Sequence, residues 1–186
     1  MSLASDIATA CASVPLVARW APQIAAAAEA RAVPGLITPA ELALTLAALV
    51  TRETGGRNIL GDGGHGHGLG QVDDRSWNEW LHLHKNGLDP ASNLDKAASI
   101  YVTYLGSIRE LEAARNEVWS PEVLQRAACA AYNCGPARAL SQLRLGVEHL
   151  DEHTTGHDYS AWVWRHREQF AAALAAARGA DGGACA

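Results

Sequence analysis

Three carboxylates stand out for where they fall. Glu53 follows an apolar helical stripe, and Asp62 and Asp73 lie in the glycine-rich segment after it. A carboxyl group in apolar surroundings is harder to ionise, so such a glutamate can keep its proton near neutral pH. A general acid for a glycosidic bond needs that property. Glycosidases need a second carboxyl role as well, a base or nucleophile on the far side of the bond. Asp62 and Asp73 are the candidates for it. Spacing alone is weak evidence, because a glutamate that ends a helix is more often solvated or paired with a neighbour such as Arg52 or Arg57.

Other chemistries can be weighed on the same residues. His65-Gly66-His67 on an extended segment would point both rings the same way, with Asp62 nearby, a pattern that could hold a metal. Exposed, satisfied or sugar-facing histidines are commoner, so neither a metal nor any other cofactor is expected. Gly61 to Gly66 spells G-x-G-x-x-G, but no strong strand precedes it and no helix opens in it, which argues against nucleotide binding. There is no G-x-S-x-G nucleophile elbow.

The elements that must position these groups are mostly helices. Thr38-Pro39-Ala40-Glu41 opens one with a cap, a first-turn proline and a capping-box glutamate. Leu42, Leu46, Leu49 and Val50 follow as one apolar stripe. Glu53 is eleven residues after Leu42, and at roughly 100° per residue it returns to nearly the same bearing. Gly55-Gly56 ends the helix. Short extended pieces around Ile59-Leu60 and from Leu69 to Val72 predict a small hairpin or three-stranded sheet. Ser76-Trp77-Asn78-Glu79 starts a short helix through about His84, and Asn93 starts a longer one. Further helices run from Ser120 to near Gly135, from Pro136 to near Gly146, and from His157 to about Arg178. Residues 1 to 34 read as one or two helices interrupted by Pro15 and Pro22. Trp77 and Trp80, three apart, fit either core packing or a cleft wall.

The reading is a single α+β domain, predominantly α-helical, with a small antiparallel sheet at about residues 57–73. Residues 1–37 form a helical extension and residues 38–178 the core. The chain has 186 residues and a net charge of −5, which disfavours nucleic acid as a partner. No apolar run is long enough to span a bilayer. Residues 1–14 lack a basic segment and include Asp6, so they do not read as a secretory leader. Cys11, Cys129, Cys134 and Cys185 form no dense disulfide framework, and Cys129 among alanines reads as a buried thiol.

Four motifs in order carry a family resemblance. They are Thr51-Arg52-Glu53-Thr54-Gly55-Gly56, the run Gly61-Asp62-Gly63-Gly64 through Gly68-Leu69-Gly70-Gln71-Val72-Asp73-Asp74-Arg75-Ser76, Ala130-Ala131-Tyr132-Asn133-Cys134-Gly135, and Thr154-Thr155-Gly156-His157-Asp158-Tyr159. Over about residues 38 to 172 the chain resembles the goose-type lysozymes. The resemblance implies a lysozyme-like fold and hydrolysis of the β-1,4 bond between N-acetylmuramic acid and N-acetylglucosamine. It implies Glu53 as general acid and Asp62 and Asp73 as the residues that position or deprotonate water. Inversion follows, with carboxyl groups on the order of 6.5–9.5 Å apart. Gln71, Tyr132, Asn133 and Tyr159 would hold the sugar and the acid, with His67 as a further sugar contact. The implied partners are the glycan strands of bacterial peptidoglycan and a proteinaceous lysozyme inhibitor. The implied form is a monomer acting at the cell wall, extracellular or periplasmic. The chain departs from the family pattern at Gly70, where a methionine is usual, at Cys134 and at Trp77, and its segment from Glu53 to Asp62 is short. Two rival readings stand beside this one. A lytic transglycosylase would attack with the muramyl 6-hydroxyl, need no base-positioning aspartates and yield 1,6-anhydro products. A non-catalytic wall-binding module would keep its effect in a Glu53→Gln variant.

Overall fold

Prolines mark where the helices begin. Pro15, Pro22, Pro39, Pro90, Pro121 and Pro136 all sit in the first turn of a helix, where the missing N–H costs nothing. A computed structural model describes residues 2–84 and 87–182. Its helices are α1 (Leu3–Ala10), α2 (Pro15–Ala18), α3 (Ala21–Arg31), α4 (Pro39–Thr54), α5 (Asp74–Leu83), α6 (Pro90–Arg115), α7 (Pro121–Cys134), α8 (Pro136–Leu145) and α9 (Tyr159–Gly182). Three two-residue strands, β1 (Leu60–Gly61), β2 (Gly66–His67) and β3 (Val72–Asp73), lie between α4 and α5. The protein is thus predominantly helical with a small antiparallel sheet. Among the described residues, no helix is long and apolar enough to cross a membrane.

Helix α4 is the central rod. Every residue from Leu42 to Val50 is buried, not one stripe of them, because α1, α3, α6 and α9 surround it. Ala43, Ala47 and Ala48 let those neighbours come close on the faces the large side chains leave free. The first three helices belong to the same core: Ile7, Val17 and Ile24 are fully buried within the cluster that holds Leu46, Leu94 and Ile108. Helices α1, α2 and α3 therefore pack into the same core as α4.

Two helices start earlier than the local signals predict. Helix α5 begins at Asp74 and is capped by Asp73, whose carboxylate accepts from the Arg75 N–H; the Ser76 box falls beside a kink at Trp77 (φ −132°, ψ 30°). Helix α6 begins at Pro90 under an Asp89 cap, which places Asn93 inside the helix. There Asn93 has a different task.

The sheet runs β1-β2-β3, with Gly61 opposite Gly66 and Gly66 opposite Asp73. Strands this short cannot hold themselves together in water, so side chains from the helices fasten them. Asn93, fully buried, donates through Nδ2 to the carbonyls of His67 (2.8 Å) and Gly87 (3.0 Å) and accepts from the Gly70 N–H (2.8 Å). Thr54 Oγ1 donates to the Leu69 carbonyl at 3.2 Å, and Tyr132 Oη to the Gly70 carbonyl at 2.6 Å.

An Asn93→Ala substitution removes three bonds at one buried point. It is expected to destabilise the protein by about 3 kcal/mol, since each buried backbone group deprived of its partner bears a desolvation cost. Urea denaturation should show a lower midpoint with an unchanged m-value; an unshifted midpoint would refute this account of the hairpin.

Candidate active site

The C-terminal turn of α4, the hairpin, the start of α5 and the C-terminal end of α7 enclose a cleft of about 590 Å³. Glu53, Asp62, Gln71, Asp73, Tyr132 and Asn133 all line it. The tertiary fold thus brings together residues as far apart in sequence as 53 and 133.

Glu53 is half-buried, and its Oε1 accepts a short hydrogen bond from the Tyr159 hydroxyl. Burial pushes its carboxyl up from 4.5 to about 7, opposed by the Tyr159 bond and the nearby positive charge of Arg52. Its place in the last helical turn adds to the penalty, because that end of the helix dipole disfavours an anion. Arg52 does not pair with Glu53. Its guanidinium donates instead to Asp158 (2.7 Å) and to the Thr155 carbonyl (3.1 Å), fastening the loop before α9.

Asp73 is in the opposite electrostatic condition. Asp62 and Asp73 both accept from Arg75, and the Arg75 bonds hold the Asp73 carboxyl below the usual carboxylate range. One cleft therefore carries a carboxyl that keeps its proton towards neutrality and a carboxylate that gives its proton up readily. Such separated pairs are how acid and base roles are divided between chemically similar groups.

Gln71 lines the cleft at φ 49°, and its Nε2 donates to the Gly68 carbonyl (2.8 Å) and the Ile59 carbonyl (3.2 Å). Asn133 exchanges hydrogen bonds with Thr155: its Oδ1 accepts from the Thr155 N–H (2.8 Å), and its Nδ2 donates to Thr155 Oγ1 (3.4 Å). The Tyr132 hydroxyl is already committed to Gly70. These polar groups hold the cleft walls as well as facing its interior.

Two of the expected sugar contacts lie elsewhere. Tyr159 is only 2% exposed and reaches Glu53 from within the core, so it holds that carboxyl and is not among the cleft-lining residues. His67 is buried with its ring 3.5 Å from Asp74, and it is not among the cleft-lining side chains. Strand alternation explains this: Gly66 faces the cleft, so its neighbour His67 faces away. His65 and His67 do turn the same way, but they meet Asp74, at 2.8 and 3.5 Å, and not Asp62. Among the described residues, no group of His, Cys, Asp and Glu side chains could hold a metal ion.

Several cleft residues escaped the sequence reading. Arg75 carried a faint signal, a cation two residues after Asp73. Tyr104 and Ile100 also line the cleft, but helical periodicity cannot distinguish a cleft wall from a core. Of the two tryptophans for which the sequence leaves core and cleft wall open, Trp77 lines the cleft, with Lys96 Nζ 3.4 Å from the ring centroid, whereas Trp80 stacks on His84. Gly70 is explained by space: a Cβ there would lie 2.8 Å from Ala97 Cβ and 3.0 Å from the Tyr132 hydroxyl, so no methionine fits. Cys11, Cys129 and Cys134 are free thiols, and Cys129 is buried. Cys185 lies outside the described residues. The chain matches no family model and no curated protein.

The raised Glu53 carboxyl has a consequence for stability. Between about pH 4.5 and 7 the folded chain holds a proton that the unfolded chain has released, so stability falls as pH rises through that window. Glu53→Gln removes this dependence. The variant should match the wild type near pH 4 and exceed it above pH 7 by on the order of 2 kcal/mol, the full linkage being reduced for partial solvation. Urea titrations across pH would show it, and a constant difference would count against a buried, protonated Glu53.

Proposed function

We propose that this protein is a peptidoglycan-cleaving glycoside hydrolase of the goose-type lysozyme kind, with Glu53 as its general acid. The observation that carries this reading is the pairing of unlike carboxyl groups in one cleft: a half-buried Glu53 whose carboxyl is raised to about 7, and an Asp73 that Arg75 holds below the usual carboxylate range, with Asp62 bonded to the same guanidinium. The four motifs that resemble goose-type lysozymes converge on that cleft or its walls, which supports the same reading. The cleft lining also suits a sugar: aromatic and amide side chains such as Trp77, Tyr132 and Asn133 are the kinds of group that pack on and hydrogen-bond to sugar rings.

In this mechanism the glycosidic oxygen takes the Glu53 proton as its bond to the anomeric carbon breaks. A water held by Asp62 and Asp73 adds to that carbon from the other side and loses its proton to a carboxylate. Tyr159 keeps Glu53 aimed, and its hydrogen bond limits how far burial raises the carboxyl. The presence of two carboxylates beside the acid favours hydrolysis over the transglycosylase reading, in which the sugar's own 6-hydroxyl attacks and no base-positioning pair is needed.

Digestion of purified peptidoglycan followed by mass spectrometry of the released muropeptides tests the proposal. Reducing-end products are expected from the wild type and none from Glu53→Gln, because glutamine keeps the shape but has no proton to give. Anhydro products would assign the chain to transglycosylases, and no products from the wild type would favour a binding module. Tyr159→Phe removes the bond that favours ionised Glu53, so the alkaline limb of the activity profile should move to higher pH. A limb that stays in place would show that Tyr159 does not tune the acid.

A further inference from the structure

Arg75 stands in the first turn of α5, and its guanidinium reaches back to both aspartates. Its Nη2 lies 2.5 Å from Asp62 Oδ2 and also donates to Asp73 Oδ2. Its Nε is 3.0 Å from each Asp73 oxygen, and its backbone N–H donates to Asp73 Oδ1 at 2.8 Å. Two carboxylates that share one nitrogen at hydrogen-bond length have those oxygens within about 6 Å of each other. Without a cation between them they would repel, and one would tend to take up a proton.

The exposure of the bridge bears on its purpose. The Arg75 and Asp62 side chains are 57% and 64% exposed, and ion pairs so open to solvent contribute little to stability. What the bridge does fix is position. Asp62 sits in a left-handed backbone conformation (φ 48°) on the turn between β1 and β2, with glycine on either side at Gly61 and Gly63. Arg75 ties that turn to the Asp73 cap of α5, so two independent pieces of backbone present their carboxylates to the cleft together.

We propose that Arg75 is a positioning residue that binds Asp62 and Asp73 into one carboxylate pair acting on a single water. This rests on the hydrolase reading. The water oxygen forms its bond to the anomeric carbon as the glycosidic bond breaks, the pair takes one proton from that water, and Glu53 supplies one to the leaving oxygen. The charged groups around Asp73 are Arg75 and Asp74 from α5, Asp62 from the turn and His65 from the hairpin, with Glu53 of α4 lining the same cleft. Arg75 is the cation in closest contact with it, so its removal should be felt first in the titration of Asp73.

The test compares the full-length wild type with Arg75→Gln, Arg75→Lys, Asp62→Asn, Asp73→Asn and the double aspartate variant. Asparagine keeps the α5 cap, so Asp73→Asn is a probe of charge and not of helix formation. Arg75→Gln should lower kcat on peptidoglycan by about tenfold or more, a loss smaller than the roughly 10²–10⁴-fold of removing a general base outright because both aspartates remain, with a smaller change in KM. Its acidic limb should move to higher pH, and Arg75→Lys should return that limb towards the wild-type position. The double aspartate variant should cost little more than either single one, as expected for residues acting as a unit. Carbon-detected NMR titration of the Asp73 carboxyl gives a readout independent of turnover, and its midpoint should rise in Arg75→Gln. An active wild type whose Arg75→Gln variant keeps its kcat, acidic limb and Asp73 midpoint would overturn the role of Arg75 alone. A wild type that releases no muropeptides would overturn the hydrolase reading itself, and the catalytic role of Arg75 with it.

Discussion

Backbone that leaves regular structure inside a protein must find other partners for its N–H and C=O groups. The segment from Gly55 to Asp73 meets that demand through side chains borrowed from helices. Asn93 of α6, Thr54 of α4 and Tyr132 of α7 each bond to the hairpin's main chain, and Asn93 alone satisfies two of its groups and the Gly87 carbonyl beside it. The places of Asp62, Gln71 and Asp73 follow from this fastening. Three helices that diverge in sequence are thereby made to agree on where the hairpin sits, and the cleft is the space they leave.

The same packing sets the charge states of the cleft. Glu53 lies at the end of a rod that is buried from Leu42 to Val50, and burial of its own carboxyl pushes it up to about 7. Asp73 lies at the solvent-facing mouth, where Arg75 keeps it below the usual range. The two groups are chemically near-identical; depth and partner separate them. Tyr159 links the two scales, because it is a core residue whose one polar atom meets Glu53.

The N-terminal helices contribute through the turn that follows Glu53. The Gly56 carbonyl accepts from Trp20 Nε1 at 2.9 Å and from Arg19 Nη2 at 3.2 Å. A Cβ at Gly56 would fall 2.4 Å from the Leu16 carbonyl oxygen, so the two backbones touch there. Leu16, Arg19 and Trp20 therefore brace the end of α4 from behind, which gives this part of the chain a bearing on Glu53 as well as on the core.

Local signals carried much of this. The Thr38 capping box, the α4 apolar positions, the terminating Gly55-Gly56 and the glycine-rich hairpin are all properties of neighbouring residues, so they can be read from the chain, as can Glu53's bearing along its helix. Even the misplaced starts of α5 and α6 show the limit of such signals: Ser76 and Asn93 look like caps, but Asp73 and Asp89, about one turn upstream, took that role. What only the tertiary structure decided were the relations across sequence distance. These are Tyr159 meeting Glu53, Asn93 holding the hairpin, Arg75 joining Asp62 to Asp73, and His67 turning to Asp74 instead of the cleft. The physical reason is that periodicity and capping act over a few residues, whereas the pairing of buried polar groups is settled only when whole helices pack and each group must take whichever partner lies within reach.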